Sequence, residues 1–160
     1  MPATFEPIST TTLGSAASSI TFSSIPGTYT DLRIILVGTV NSAGGPSVTF
    51  NGDTGSNYSR TFIVGNGSAA SSGRSTDGQS FNLGYWDTTY PCMATLDIFS
   101  YAGSTNKSAL GDVASDQNSS LGRVQKNAAL WRSTSAITSV TLSASFDAGT
   151  RATIYGILKA

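Results

Sequence analysis

The rhythm of apolar residues is what most constrains this chain. Short segments alternate apolar and polar side chains, each bounded by Gly, Pro, Asn, Asp or Ser. Ile20 and Phe22 share one face of Ser19–Ser23, and Leu32, Ile34 and Leu36 share one face of Thr30–Gly38, whose other face carries Ile35 and Val37. Such period-two patterning is the signature of half-buried strands, and a segment apolar on both faces belongs inside a sheet. Similar segments recur at 47–50, 60–64, 79–86, 93–101, 108–113, 137–145 and 151–158. Arg123–Arg132 has mixed periodicity and fits three helical turns or a strand, with its surroundings favouring β pairing. Gly65–Gly78, polar and glycine-rich, reads as an exposed loop, and Asp116–Ser120 as a turn. Roughly nine or ten strands with turn signals about every 8–15 residues predict an all-β fold. We expect an antiparallel β-sandwich of jelly-roll type, two sheets of about four strands each. Residues 1–14 read as an extended N-terminal arm or an edge strand, and residues 15–160 as a single sandwich domain.

Composition narrows the function. Of 160 residues, 39% are hydrophobic and 11% charged, less than half the usual charged share of about 25%. Hydroxyl residues and glycine take the place of charge, so the outer faces suit either water or neutral partner surfaces. Nine basic and nine acidic residues cancel. The nearest basic patch, Arg123, Lys126 and Arg132, falls short of a nucleic-acid footprint, so no nucleic-acid partner is expected. No run approaches the roughly 18 apolar residues of a membrane span, and the N-terminus lacks a secretory pattern. Folding in a reducing cytosol without a membrane partner is therefore expected. Cys92 is the single cysteine and histidine is absent, which removes the Ser-His-Asp triad, the Cys-His pair and the common zinc ligands. Nothing in the spacing of Asp87, Asp97 and Asp147 selects a carboxylate pair. The chain reads as a non-enzyme with no cofactor, no catalytic residue and no metal site.

Its most specific string is Phe50-Asn51-Gly52-Asp53-Thr54-Gly55-Ser56-Asn57-Tyr58-Ser59. Asn51-Gly52 supplies the positive φ angles of a tight reversal, Asp53 can accept from the backbone two residues on, and Gly55 and Asn57 tolerate a left-handed conformation. We take Asn51, Gly52, Asp53, Gly55, Asn57 and Tyr58 as a structural turn. The same oxygens could hold calcium, but EF-hand spacing is absent. Tyr85, Trp86 and Tyr90 cluster near a turn, as a stacking platform for a sugar ring or as core caps. Phe5, Pro7 and Ile8 are the candidate contacts of the arm.

Three blocks carry a resemblance: Ser19–Leu32, Phe50–Ser59 and Ala152–Ile157. In sequence and order they resemble small structural proteins of tailed bacteriophage virions. That resemblance implies a virion component assembled in the host cytoplasm. It would be a head decoration (cement) protein bound to the major capsid protein, or a tail-fibre or receptor-binding module recognising host glycans. A homo-oligomer, with a trimer favoured, accompanies the cement reading. A free-standing carbohydrate-binding lectin-like module is the alternative from outside the family.

Overall fold

A computed structural model describes residues 4–118 and 122–158, and among them every regular element is a strand. The first six are β1 (Phe5–Thr12), β2 (Ala17–Phe22), β3 (Asp31–Gly38), β4 (Ser47–Phe50), β5 (Tyr58–Gly65) and β6 (Ala70–Gly78). The remainder are β7 (Phe81–Asn82), β8 (Cys92–Phe99), β9 (Lys107–Asp116), β10 (Gly122–Trp131), β11 (Val140–Phe146) and β12 (Arg151–Ile157). They form an eight-stranded sheet, β1-β12-β3-β8-β9-β10-β5-β6, and a four-stranded sheet, β2-β11-β4-β7. All pairings are antiparallel.

The strand order has jelly-roll logic. In a jelly roll the first, eighth, third and sixth strands make one sheet, and the second, seventh, fourth and fifth the other. Here β2, β11, β4 and β7 fill the first set. In the second set, β3, β5 and β6 keep their places, while the β8-β9-β10 meander replaces the seventh strand; β12 and β1 extend the edge beyond β3. An odd number of strands in the meander preserves chain direction, so the wrap still closes. The unequal sheets replace the expected four and four.

Burial follows the alternation. Leu32, Ile34 and Leu36 of β3, and Ala94, Leu96 and Ile98 of β8, point inward against Val48, Phe50, Val140 and Leu142 of the small sheet. Strand β10 departs from the rule: Gln125 and Asn127 face inward while Val124 is 65% exposed. The inward amides are tolerated because they are bonded. Gln125 Nε2 donates to Asn127 Oδ1 at 2.8 Å, and Asn127 Nδ2 donates to the Leu83 carbonyl. Arg60 beside them donates to the Asn82 carbonyl, and burial lowers its pKa.

Two expectations change. Residues 65–78 are not a loop: β5 runs to Gly65, and Ala70–Gly78 form β6, paired with it from Gly65↔Ala70 to Arg60↔Ser75. Backbone pairing builds most of this strand, so side-chain periodicity carries no trace of it. Segment 79–86 does not keep one phase; β7 is two residues long, and Gly84 at φ 141° turns Trp86, not Tyr85, into the core. The Asp116–Ser120 turn is seen to Asn118, whose backbone N–H donates to Asp116 Oδ1 at 2.8 Å; Ser119 and Ser120 lie outside the described residues.

The first and third blocks of the resemblance meet in space. Tyr29 lies flat over Gly156 of β12, and its hydroxyl donates to Glu6 of β1 at 3.1 Å. A Cβ on Gly156 would overlap the Tyr29 ring. Gly156→Ala should therefore cost about 1–3 kcal/mol through overpacking. A thermal melt that shifts by less than a degree would show that the ring moves aside freely.

Candidate functional site

The 50–58 string forms a corner that joins both sheets. Asn51 and Gly52 have φ of 53° and 67°, and Asp53 N–H closes the turn on the Phe50 carbonyl at 2.9 Å. The Asn51 side chain then ties in the segment before β11. Its Nδ2 donates to the Ala136 carbonyl at 2.8 Å, and its Oδ1 accepts from the backbone N–H groups of Thr138 and Ser139 at 2.8 and 3.1 Å. Asp53 gathers three donors. Oδ1 accepts from Gly55 N–H at 2.8 Å; Oδ2 accepts from Asn57 Nδ2 at 2.9 Å and Trp131 Nε1 at 2.7 Å. These bonds, the indole's first, hold its carboxyl below the usual carboxylate range.

That geometry bears on the calcium reading. A cation needs oxygen lone pairs directed at it, whereas here N–H dipoles converge on the only carboxylate of the corner. Gly55 and Asn57, which tolerate a left-handed conformation, do not adopt one here. Gly55 supplies room instead, because a Cβ there would sit 2.9 Å from Asn57 Nδ2 and 3.1 Å from Asp53 Oδ1. Tyr58 is wholly buried; its hydroxyl accepts from Phe50 N–H at 2.9 Å and donates to the Asp53 carbonyl at 3.1 Å. Burial pushes its pKa up to about 12. Trp131, which the sequence reading did not place here, is the corner's link to β10. Its phase with inward Ala129 at the end of that strand was the available signal.

The aromatic trio does not form a surface. Trp86 is wholly buried, meets Phe146 edge-on at 6.4 Å between ring centroids, and cannot stack on a sugar. Tyr85 is half-buried under the Arg123 guanidinium at 4.2 Å, while Tyr90 is 45% exposed. Packing of the middle ring, forced by the turn at Gly84, breaks the platform. Cys92 lies buried beneath this turn, with its thiol pKa raised by desolvation.

Nor is the N-terminal stretch a free arm over residues 5–12. Strand β1 pairs with β12 from Phe5↔Ile157 to Thr12↔Arg151, with a register shift between Pro7 and Ser9. Phe5 packs on Tyr155 at 5.9 Å, Pro7 faces Tyr155 across the ladder, and Ile8 packs against the core. Backbone pairing outweighs the freedom suggested by two prolines, because the bulge absorbs Pro7 at a sheet edge. Met1 to Ala3 lie outside the described residues.

A further feature is the outward face of the eight-stranded sheet. One cross-strand row runs Val37, Met93, Ala114, Val124, Gly65; the next runs Ile35, Thr95, Asp112, Lys126, Ile63. Val124, Ile63 and Met93 are 65%, 57% and 47% exposed and line a shallow concavity of 460 Å³. Phe99 and Leu110 add exposed apolar surface along the same face. Two of its charge pairs are matched across strands, while Arg74 and Arg151 stand exposed on the same face with no ion-pair partner among the described residues. Arg33 grips Asp97 with two bonds of 2.5 and 2.6 Å, and Lys126 reaches Asp112 at 2.7 Å. Arg132 instead pairs with Asp77 at 2.6 Å, so Arg123, Lys126 and Arg132 do not act as one basic patch.

No family model matches the chain, and no curated protein matches it. Solved structures overlie it at low similarity. A protein of unknown function from Shewanella oneidensis MR-1 is 7% identical, with 98% of this chain and 77% of that one covered and a TM-score of 0.29. The CBM2 module of an evolved Dit protein from Lactobacillus casei BL23 phage J-1 is 10% identical, covering 89% and 69%, with a TM-score of 0.22. Overlaps this loose carry no argument about fold or function.

Proposed function

We propose that this chain is a non-enzymatic structural protein of a tailed-phage virion, acting as a head decoration protein bound across major capsid subunits. The observation that carries the reading is the outward face of the large sheet, where exposed Ile63, Met93, Phe99, Leu110 and Val124 lie among two cross-strand ion pairs. Docking such a face removes apolar area from water, which contributes about 25 cal/mol per Å² before the costs of association. Pairing Arg33 with Asp97 and Lys126 with Asp112 leaves fewer lone ions to desolvate. The sequence resemblance supports the same reading. The glycan-binding alternative is weakened, since Trp86 is buried.

Heads depleted of the chain should lose resistance to heat and low salt, and regain it when purified chain is added. Val124→Asp places a carboxylate in the concavity lined by Ile63 and Met93 without touching the core. It should weaken binding to depleted heads at least tenfold while leaving the melting temperature within a degree or two. Absence of the chain from denatured virions, or immunogold labelling confined to tails, would remove the head assignment.

A further inference from the structure

We propose that β6 is the interface of a two-fold dimer, pairing antiparallel and edge to edge with β6 of a second copy. This rests on the fold alone and is independent of the virion assignment. The two sheets end in four edges: β1 and β6, β2 and β7. Natural edges are blunted by proline, bulges, lysine or shortness. Strand β1 carries Pro7 and a register shift, β7 has two residues, and β2 has six with a register shift in its pairing to β11. Strand β6 is nine residues long and contains neither proline nor lysine; its own register shift falls after Ser75, so Ala70–Ser75 form a regular run whose single charge is Arg74.

Strand β6 also buries almost nothing within its own chain. Seven of its nine residues are exposed, on both faces. Ordering a residue costs about 1–2 kcal/mol of backbone entropy, and here one ladder and the exposed Arg132–Asp77 ion pair at the strand's end oppose that cost. A second ladder on the open edge would offset it further.

The phase of the open edge follows from its neighbours. Asn66 N–H donates to the Ala69 carbonyl at the closing turn, and Arg132 N–H donates to the Asn57 carbonyl on the other side of β5. Alternation from either end makes Gly65↔Ala70, Ile63↔Ser72 and Thr61↔Arg74 the pairs without mutual bonds. Ala70, Ser72 and Arg74 therefore direct their N–H and C=O groups away from β5, to the open side.

A second copy fits this edge better than an arbitrary strand. Two antiparallel β6 strands related by a two-fold axis through Ser72 set Ser72 against Ser72 and Ala70 against Arg74. Outward-bonding residues then meet outward-bonding residues, and each guanidinium faces a methyl group instead of its like charge. Ala70, Ser71, Ser72 and Gly73 are small enough for close approach of the backbones. The contact is isologous and closed, so neither copy keeps an open β6 edge.

Sedimentation velocity on the full chain, from about 1 to 100 μM, tests the pairing. A dimer is expected for the wild type. Ser72→Pro deletes one outward N–H without breaking the β5 ladder, and should raise the dissociation constant at least tenfold with the far-UV spectrum unchanged. If that variant misfolds, Ser72→Lys decides instead: it sets like charges face to face on the axis and should weaken the dimer, most at low salt. A monomer throughout, a trimer, or a dimer unaffected by the variant that folds would overturn the proposal.

Discussion

Phe50→Ala should destabilise the fold by about 3–5 kcal/mol, the range for emptying a fully buried aromatic site. Phe50 is wholly buried and lies among three other rings drawn from both sheets. Its centroid is 5.5 Å from Trp131 of β10, 5.7 Å from Phe81 of β7 and 6.2 Å from Tyr58 of β5, all in tilted contact. Tyr58 and Trp131 stack at 6.3 Å. Removing the Phe50 ring opens a cavity that the rigid sheets cannot close, and the loss is large against a typical total stability of about 5–15 kcal/mol. Urea denaturation should show a lower midpoint with an unchanged slope. Phe50→Leu, which keeps most of the volume, should cost under about 1.5 kcal/mol. A loss below about 1 kcal/mol for the alanine variant would mean that the rings are not packed as one unit.

Asp53→Ala comes next, at about 2–3 kcal/mol near pH 7, since it strips three hydrogen bonds and leaves the indole N–H of a buried Trp131 without its acceptor. The pH dependence follows from the lowered pKa of Asp53. A carboxyl with a depressed folded pKa stabilises the fold fully above its unfolded value, near 3.9. That contribution fades as pH falls through the folded pKa, because protonation then weakens all three bonds. Wild-type stability should thus drop on acidification below about pH 4, and Asp53→Asn should drop less steeply over the same window. Equal slopes for the two proteins would place the acid sensitivity elsewhere.

Local patterning made much of the fold legible. The alternation in β3, β8 and β12 assigns the inward residues, and Asn51-Gly52 gives its own turn through positive φ. The edge position of β1 was one of two readings of residues 1–14, because a bulged edge and a free arm share the same proline-bearing sequence. Strand β6 was invisible for a simple reason: its order comes from backbone pairing, and its small polar side chains follow neither water nor core. The corner was half legible. Asp53's bond to Gly55 is local, but its bond to Trp131 spans 78 positions and no short-range rule reaches it.

By itself the sequence determined the all-β class, most strand positions, the faces of the regular strands and the want of histidine-based chemistry, since these depend on residue type and neighbours within a few positions. Tertiary structure alone decided the eight-and-four division of the sheets, the burial of Trp86, the inward turn of Gln125 and Asn127, and the apolar outward face. Each of these depends on which strand lies beside which, and pairing across long stretches of chain is settled by the packing of the whole sandwich.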